Sequence, residues 1–289
     1  MAGKQQILAS AERLAAHHDL ETVLAELRKL RLEEFGKVLL DMPDENFPDL
    51  SKRLPAMASA DAQRSWTGTS GMPLLQQTIE FVQAVEYNFK RLTGRNLKNG
   101  KVLDFGCGYG RIARLMYYFT SPAKLFCVDP WDESIRLCRE SRLPGNFFIS
   151  DYVPRSLPFR DSDFDLIYCF SVFTHLSMRT ARVVLTLLRN YIADDGMLVI
   201  TVRPKEYWLT NGAFDPSSKR SPQDLLEEHR RNGFAFVPRQ REPIDGDVTY
   251  GDTSVSIDWL TREFPEWKIE TFDCSPKDPY QRRVFLRPG

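Results

Sequence analysis

In the first part of the chain, apolar residues recur at the spacing of a helix. Leucine, valine and phenylalanine side chains between positions 20 and 35 alternate with charged ones, which predicts an amphipathic helix. Residues 42–73 are instead rich in Pro, Asp, Ser and Gly, which indicates irregular chain. A second helix is predicted over residues 74–92. We therefore assign residues 1–95 to an N-terminal helical extension.

From residue 101 onward, short apolar runs alternate with helical stretches. This alternation is typical of a parallel sheet covered by helices on both faces, so the predicted fold class is α/β over residues 96–289. A polar insertion of about 204–258 interrupts the pattern, and a turn at 194–196 introduces the strand before it. We predict strands at 102–105, 124–128, 146–149, 165–170, 197–202, 267–272 and 283–286, with helices such as 132–140 and 178–192 between them.

The residues VLDFGCGYGR at positions 102–111 join a predicted strand to a glycine-rich turn and a helix. Gly106, Gly108 and Gly110 let the backbone turn tightly and approach a ligand without a Cβ in the way. A strand, a glycine turn and a helix N-terminus form the usual site for a nucleotide-type cofactor. Arg111 stands where the dinucleotide motif GxGxxG has its third glycine, which argues against a nicotinamide cofactor.

The acidic residue before this loop narrows the choice of cofactor. The carboxylate of Asp104 would repel a pyrophosphate and attract a cation. S-adenosylmethionine carries ammonium and sulfonium groups and no phosphate, so it fits the loop better than a dinucleotide does. A purely structural turn of small residues has the same sequence pattern, and the loop alone does not exclude it.

Further candidate ligands stand where the later strands end. Asp129 ends the second strand, where a carboxylate can accept hydrogen bonds from both hydroxyls of a ribose; a surface-turn acid is the alternative. Trp131 could pack on an adenine face or in the core. Asp151 follows the third strand, where it can accept an adenine amino proton. The exit from the fourth strand carries Ser171, Thr174 and His175.

Composition excludes several classes of protein. The 289 residues include 39 basic and 39 acidic side chains, mixed along the sequence, and no basic stripe indicates a nucleic-acid partner. No segment approaches the roughly 20 apolar residues that cross a bilayer, so we expect no membrane span and a cytoplasmic location. The five cysteines form no CxxC pair, and four histidines are too few for a cluster, so we expect no metal.

Residues 102–202 as a set resemble a class I S-adenosylmethionine-dependent methyltransferase of the small-molecule or glycan type. The resemblance is carried by LDFGCGYGR, VDP, SVFTHL and DDGMLVIT in this order. It implies a Rossmann-like seven-stranded sheet with S-adenosylmethionine as the cofactor. The implied cofactor-binding residues are Asp104, Gly106, Cys107, Gly108, Gly110 and Arg111 around the methionine part, Asp129, Pro130 and Trp131 near the ribose, Asp151 and Tyr152 near adenine, and Phe170 and Ser171 beside the methionine and the acceptor.

Two segments outside this run complete the predicted site. The sequence SWTGTSG resembles a lid in relatives that act on sugars or other secondary metabolites. Trp66 and Thr67 would then close the site against water; the alternative is a linker anchored by one tryptophan. The insertion, with its aromatic pieces KEYWLT, GFAFVP and VTYGDTSVS, is expected to form the acceptor pocket.

His175 is the candidate general base, because its ordinary pKa of about 6.5 lets the neutral ring accept a proton near pH 7. A histidine that only hydrogen-bonds a loop is the alternative. Tyr207, His229, Tyr250 and the acids of the insertion are reserve candidates.

The predicted function is methyl transfer to a small molecule, with a hydroxyl of a sugar, glycan or secondary metabolite as the acceptor. A non-catalytic module that binds the same cofactor is one alternative, and a methyltransferase acting on protein or RNA is another. A nucleic-acid amino-methyltransferase would carry an Asn/Asp-Pro-Pro-aromatic element after the fourth strand, where this chain has Ser171-Val172-Phe173. The apolar N-terminal helix could serve a homodimer.

Overall fold

The structure is a computed structural model that describes residues 3–210 and 220–289. The chain divides into two compact units, Met1–Ile149 and Ser150–Gly289. The predicted boundary between residues 95 and 96 stays a prediction. None of the helices in the described ranges combines the length and the apolar character that a membrane crossing requires.

A seven-stranded sheet forms the core, which confirms the predicted α/β methyltransferase architecture. Its strand order is β3-β2-β1-β4-β5-β9-β8, and a separate two-stranded sheet contains β6 and β7. The strands are β1 (Val102–Phe105), β2 (Leu125–Asp129), β3 (Asn146–Ile149), β4 (Phe164–Cys169), β5 (Ile192–Val202), β6 (Phe234–Pro238), β7 (Gly251–Val255), β8 (Trp267–Ser275) and β9 (Asp278–Pro288).

In the first unit, β1, β2 and β3 pair in parallel, as their apolar runs predict. Every residue of β1 and β2 is buried. The helices of this unit are α1 (Lys4–His17), α2 (Leu20–Leu27), α3 (Leu32–Asp41), α4 (Pro48–Arg53), α5 (Ala60–Thr67), α6 (Gly71–Thr93), α7 (Arg111–Met116) and α8 (Asp132–Glu140).

The single amphipathic helix predicted near residues 20–35 is wrong, because the structure has two helices there, α2 and α3. The last turn of α2 tightens, with Leu30 N–H donating to the Leu27 carbonyl at 3.0 Å. The break lets the Arg28 guanidinium donate to the carbonyl oxygens of Tyr117 and Thr120, at 2.8 and 3.0 Å. Apolar periodicity alone does not predict such a long-range contact.

The prediction of irregular chain over residues 42–73 is also wrong in part, since α4 and α5 lie there. Pro48 occupies the first turn of α4, and the Ser59 hydroxyl caps α5 by accepting from Ala62 N–H at 3.1 Å. Gly68 ends α5 in the left-handed conformation. Both helices are short, so the Pro, Ser and Gly that cap them dominate the local composition.

In the second unit, β4 and β5 run parallel, and β9 is antiparallel to both β5 and β8. The helices are α9 (Met178–Arg189), α10 (Pro222–Asn232) and α11 (Ile257–Glu263). The predicted turn at 194–196 is wrong as a strand boundary, because β5 already begins at Ile192, which pairs with Phe164. The register then shifts before Leu166 pairs with Met197, so those residues form an irregularity within the strand.

The insertion has secondary structure of its own. It contains a 3₁₀ turn at Lys205–Leu209, α10, and the antiparallel pair β6 and β7. Residues 211–219 of the predicted insertion lie outside the described residues. Its core joins the buried Trp208, Leu225 and Val237.

Candidate functional site

The glycine loop after β1 has the backbone geometry that its sequence predicts. Gly106, Gly108 and Gly110 all have positive φ angles, of 80°, 55° and 73°. A Cβ at Gly110 would lie 2.3 Å from Cδ2 of Leu143, so this position needs glycine for space as well as for conformation. The N–H groups of Gly106 and Cys107 donate to the Val128 carbonyl, at 2.8 and 3.0 Å, and hold the loop beside the end of β2.

Asp129, at the end of β2, is bonded directly to this loop. Its Oδ2 accepts from Gly108 N–H at 2.9 Å, while Oδ1 accepts from Trp131 N–H at 3.0 Å and from the Ser134 hydroxyl at 2.9 Å. These three bonds orient the carboxylate beside the loop. The side chain is 9% exposed.

Arg114 of α7 is buried and ties the loop to the backbone at Ala56. Its guanidinium donates to the carbonyl oxygens of Tyr109, Gly110 and Ala56, at 2.7, 3.0 and 2.9 Å. Burial lowers its pKa. The loop is therefore fixed both to β2 and to the segment that precedes α5.

Arg111, predicted to contact the cofactor, is bonded to α6. Its Nη1 donates to Gln77 Oε1 at 3.0 Å and to Thr78 Oγ1 at 2.7 Å, both on α6. Arg111 thus anchors the start of α7 to the N-terminal extension. Asp104 in β1 is 2% exposed.

Cys107 lies in the loop itself and is also buried. Burial raises the pKa of its thiol, and that of Cys127 to about 11. Both are thiols at neutral pH. None of the five cysteines forms a disulfide, and no cluster of His, Cys, Asp and Glu within residues 3–210 and 220–289 could hold a metal ion.

Trp66 of α5 lies over the loop. Its ring stacks on Trp131, with centroids 4.7 Å apart and planes inclined by 20°, and it meets Tyr109 edge-on at 5.6 Å. A Cβ at Gly108 would be 3.5 Å from the same ring. The Thr67 hydroxyl donates to the Gln63 and Thr69 carbonyls at 2.7 and 2.9 Å, so it supports the end of the helix.

Pro130 is half-buried, and Trp131 is 42% exposed. In the second unit, Asp151 and Tyr152 are exposed after β3, and Phe170 is half-buried after β4. These placements leave each of them accessible to a ligand.

Ser171 has an unusual backbone and a full set of partners. Its φ is 58°, in the left-handed region that a serine rarely adopts. Its N–H donates to Thr201 Oγ1 at 2.7 Å, and its hydroxyl accepts from Gln281 Nε2 at 2.9 Å. The hydroxyl also lies 3.1 Å from that of Thr174. The strained turn therefore aims the exit from β4 in a fixed direction.

His175 is held in one tautomer. Nδ1 lies 2.7 Å from the Gly251 carbonyl oxygen, which can only accept, so the neutral ring carries its proton on Nδ1. Nε2 then accepts from Arg203 Nη2 at 3.4 Å. Burial and the Arg203 charge lower the pKa of His175 to about 3. The imidazole is therefore neutral at physiological pH and a weak base.

Next to His175, a fully buried carboxylate joins the insertion to the sheet. Asp252 of β7 accepts from Arg203 at 2.8 Å, from Arg239 Nε at 3.1 Å and from the Tyr207 hydroxyl at 3.0 Å. Burial raises the pKa of Tyr207. The Arg203 guanidinium also lies over the Tyr207 ring, 4.2 Å from its centroid.

Backbone hydrogen bonds place β7 along the exits from β4 and β5. Gly251 N–H donates to the His175 carbonyl at 2.8 Å, Thr253 N–H to Thr174 at 3.0 Å, and Val255 N–H to Arg203 at 2.9 Å. Because β4 and β5 are parallel, these exits lie at one edge of the sheet. The insertion thus reaches the edge where the ligands of α/β sheets bind.

Sequence reasoning missed the arginines of this cluster and covered Asp252 only as one of the acids of the insertion. Arg203 follows β5 immediately, so the rule that applied to the exit from β4 could have found it. Asp252 and Arg239 carry no such signal, because their roles depend on how the insertion folds back. Of the reserve candidates, Tyr207 contacts Asp252, and His229 Nδ1 lies 2.8 Å from Ser254 Oγ.

Comparisons with known proteins agree with this geometry. A family model described as a methyltransferase domain matches residues 102–196. An uncharacterised protein of Methanocaldococcus jannaschii is 28% identical over 142 residues, which cover 49% of this chain and 58% of the relative. The chain therefore matches less than two thirds of that relative's length.

Two solved structures share the fold. A protein of Pyrococcus horikoshii has a TM-score of 0.52 and 17% identity, with 74% of this chain and 92% of the other covered. An S-adenosylmethionine-dependent methyltransferase from Clostridium acetobutylicum has a TM-score of 0.50 and 12% identity, covering 79% and 96%. Residues 102–196 thus match a methyltransferase domain, and the chain shares the fold of these two solved structures.

Proposed function

We propose that the whole chain transfers the methyl group of S-adenosylmethionine to a hydroxyl of a small molecule, such as a sugar, glycan or secondary metabolite. The choice of S-adenosylmethionine as the cofactor is supported by the glycine loop bonded to Asp129, with Gly108 N–H 2.9 Å from Oδ2. This pairing gives a ribose-binding carboxylate a fixed position beside a backbone that a ligand can approach.

S-adenosylmethionine would supply a methyl group on a sulfonium, which a nucleophile displaces in line. The protein then has to bind the methyl donor and the acceptor, align them and exclude water. Asp104 puts negative charge before the loop, which favours the cationic methyl donor. Trp66 covers Gly108 and stacks on Trp131, an arrangement suited to shielding the loop from water.

The insertion is the proposed acceptor-binding part. Its strand β7 runs along the exits from β4 and β5 and brings Tyr250 against His175, with ring centroids 4.9 Å apart. Rings of this kind pack well on the apolar faces of sugars and other flat acceptors. The acceptor assignment depends on this placement and on the resemblance stated above.

His175 is proposed to position the acceptor side rather than to take its proton. Its Nδ1 proton is committed to Gly251, its Nε2 faces the Arg203 guanidinium, and its pKa is lowered to about 3. A base this weak would contribute little to deprotonating a hydroxyl near pH 7. The reserve candidate Tyr250 stays a candidate for that step.

The glycine loop bonded to Asp129 also favours a second candidate function, a module that binds the cofactor without catalysis. We therefore propose two measurements. Isothermal titration with S-adenosylmethionine tests binding, and incubation with labelled cofactor and fractionated metabolites or glycans tests transfer. Binding together with labelled product supports the enzyme, whereas binding with no product from any fraction supports the module.

The ribose assignment has its own test. Asp129→Asn should weaken cofactor binding about tenfold or more, because the amide loses a charge-assisted hydrogen bond to a hydroxyl. Asp132→Asn is the matched control, since Asp132 is an exposed acid at the start of α8. Equal affinity in the wild type and in Asp129→Asn would contradict the assignment.

The proposal also includes a cytoplasmic location, which is consistent with five cysteines that form no disulfide, because reducing compartments keep disulfides from forming. The homodimer is a weaker prediction than the sequence suggested. Val23, Leu24 and Leu27, which form the apolar stripe of the N-terminal segment, are fully buried within the chain itself. Sedimentation would measure the oligomeric state directly.

A further inference from the structure

Two arginines that follow β6 flank the ring of Tyr250. The guanidinium carbon of Arg241 lies 4.2 Å from the ring centroid, and that of Arg239 lies 6.0 Å from it. The same ring stacks on the imidazole of His175, with planes inclined by only 10°. Tyr250 is therefore a platform that carries cations at the edge of the proposed acceptor site.

The charges of this group do not balance. One buried carboxylate, Asp252, serves two guanidinium groups, since it accepts from both Arg203 and Arg239. Arg241 contacts the rings of Tyr250 and Tyr152, the latter at 6.0 Å, and forms no ion pair among the described residues. His175 is neutral and adds no charge. The arginines thus leave net positive charge around Tyr250.

We propose that Arg241, supported by Arg239 and held over Tyr250, binds an anionic group of the methyl acceptor, either a phosphate or a carboxylate. This inference rests on the proposed function. A guanidinium presents a planar fork of donors that matches the oxygens of both groups. The aromatic platform limits the freedom of the side chain before binding, which reduces the entropic cost of forming the contact.

Such an acceptor combines a hydroxyl with a charged group on the same molecule. Sugar phosphates, nucleotide-activated sugars and uronic acids have this chemistry, and neutral sugars do not. Because a guanidinium lies on the surface and is screened by salt, the effect should be strongest at low ionic strength.

The test is isothermal titration of the cofactor-loaded protein with three probes, namely glucose 1-phosphate, glucuronate and neutral glucose. At least one anionic probe should bind about tenfold more tightly than glucose, as a charge-assisted contact predicts. Arg241→Gln should weaken that binding about tenfold and leave glucose unaffected. Arg282→Gln is the matched control, because Arg282 also lies over a ring, 5.9 Å from the Phe272 centroid, on β9.

A preference for glucose 1-phosphate identifies a phosphate, and a preference for glucuronate identifies a carboxylate; both support the proposal. It is overturned if neither anion binds more tightly than glucose, or if Arg241→Gln and Arg282→Gln weaken binding equally. Titration of the cofactor into the same samples distinguishes a failure of this inference from a failure of the proposed function. Normal cofactor binding without anion binding contradicts only the acceptor class, whereas a wild-type protein that binds no cofactor contradicts the proposed function.

Discussion

His175 illustrates how a residue of the right type in the right place acquires a different chemistry from its surroundings. Its position after β4 is that of a catalytic base, yet the Gly251 carbonyl fixes its proton on Nδ1 and Arg203 donates to Nε2. Burial penalises a second proton, and the Arg203 guanidinium adds to that penalty, so the pKa falls to about 3. Protonation state and tautomer are thus both set by neighbours.

The neutral state of His175 gives a direct prediction. Its ring signals in a ¹⁵N-edited NMR titration should keep the Nδ1–H tautomer from pH 8 to pH 5, because the lowered pKa of about 3 lies well below that range. His175→Asn identifies the signals by their loss, and its amide N–H can still donate to Gly251. Transfer activity in this variant should stay within about threefold of the wild type, a loss of under 1 kcal/mol. A ring that titrates near pH 6.5, or a hundredfold loss in His175→Asn, would restore the general-base role.

Individual residues differ in how far the sequence reveals them. Asp129 is predictable, since an acid at the end of β2 beside a glycine loop has few other uses, and its bond to Gly108 fits that expectation. Arg111 was predicted to contact the cofactor, and the structure adds hydrogen bonds from its guanidinium to Gln77 and Thr78 of α6. That contact depends on where a distant helix packs, and no local pattern encodes it.

At the scale of elements, α5 is the part of the N-terminal extension that reaches the glycine loop. Trp66→Ala removes the ring that stacks on Trp131 and covers Gly108. If α5 is a lid, cofactor binding should weaken about tenfold, comparable to the worth of an aromatic pair. Ser65→Ala on the same helix is the control, because that side chain is exposed. Unchanged affinity in Trp66→Ala, measured by titration, would favour the alternative of an anchored linker.

Besides its backbone hydrogen bonds, strand β7 is joined to the rest of its unit by the buried carboxylate of Asp252. Asp252→Asn leaves Arg203 and Arg239 without their counter-charge, and breaking a buried pair in this way costs about 3 kcal/mol. We expect urea unfolding to show a decrease of this size in the free energy of unfolding. Asp245→Asn, which removes an exposed acid paired with Arg179, should change the midpoint little. Equal midpoints for the two variants would show that Asp252 does not hold the insertion.

Elements with strong local signals were predictable, and those defined by tertiary contacts were not. The bounds of β1, β3 and α8 agree with the sequence, because each is a compact run between clear turns. In contrast, β6 and β7 lie in the segment that the sequence predicts to be a polar insertion. Their strands are short and pair only with each other, so the alternation along each is too brief to stand out.

At the scale of the whole molecule, the sheet order explains why the sheet was easier to predict than the insertion. The glycine loop, Asp129 and the exit from β4 are bound to a sheet whose topology follows from the alternating pattern. The structure of the insertion depends instead on contacts between residues that are far apart in the sequence. Its chemistry is therefore a property of packing, carried by residues such as Asp252 and Arg203.

The two buried histidines should make folding stability depend on pH. In the native state the pKa of His175 is lowered to about 3 and that of His229 to about 4, each mainly by burial. In the unfolded chain both approach the ordinary value of about 6.5, so below that pH the unfolded state binds protons that the native state does not. Stability should be constant above pH 7 and fall by about 2 kcal/mol per histidine by pH 5.

Chemical denaturation at pH 8, 6.5 and 5 measures this decline. The double variant His175→Asn/His229→Gln should lose most of the slope between pH 7 and pH 5, whatever its absolute stability, because neither replacement titrates there. Carboxylates whose pKa is lowered, such as those of Asp224 and Glu263, act only at more acidic pH and are common to both proteins. A wild type whose stability falls no faster than that of the double variant would mean that both imidazoles are free to take up protons in the native fold.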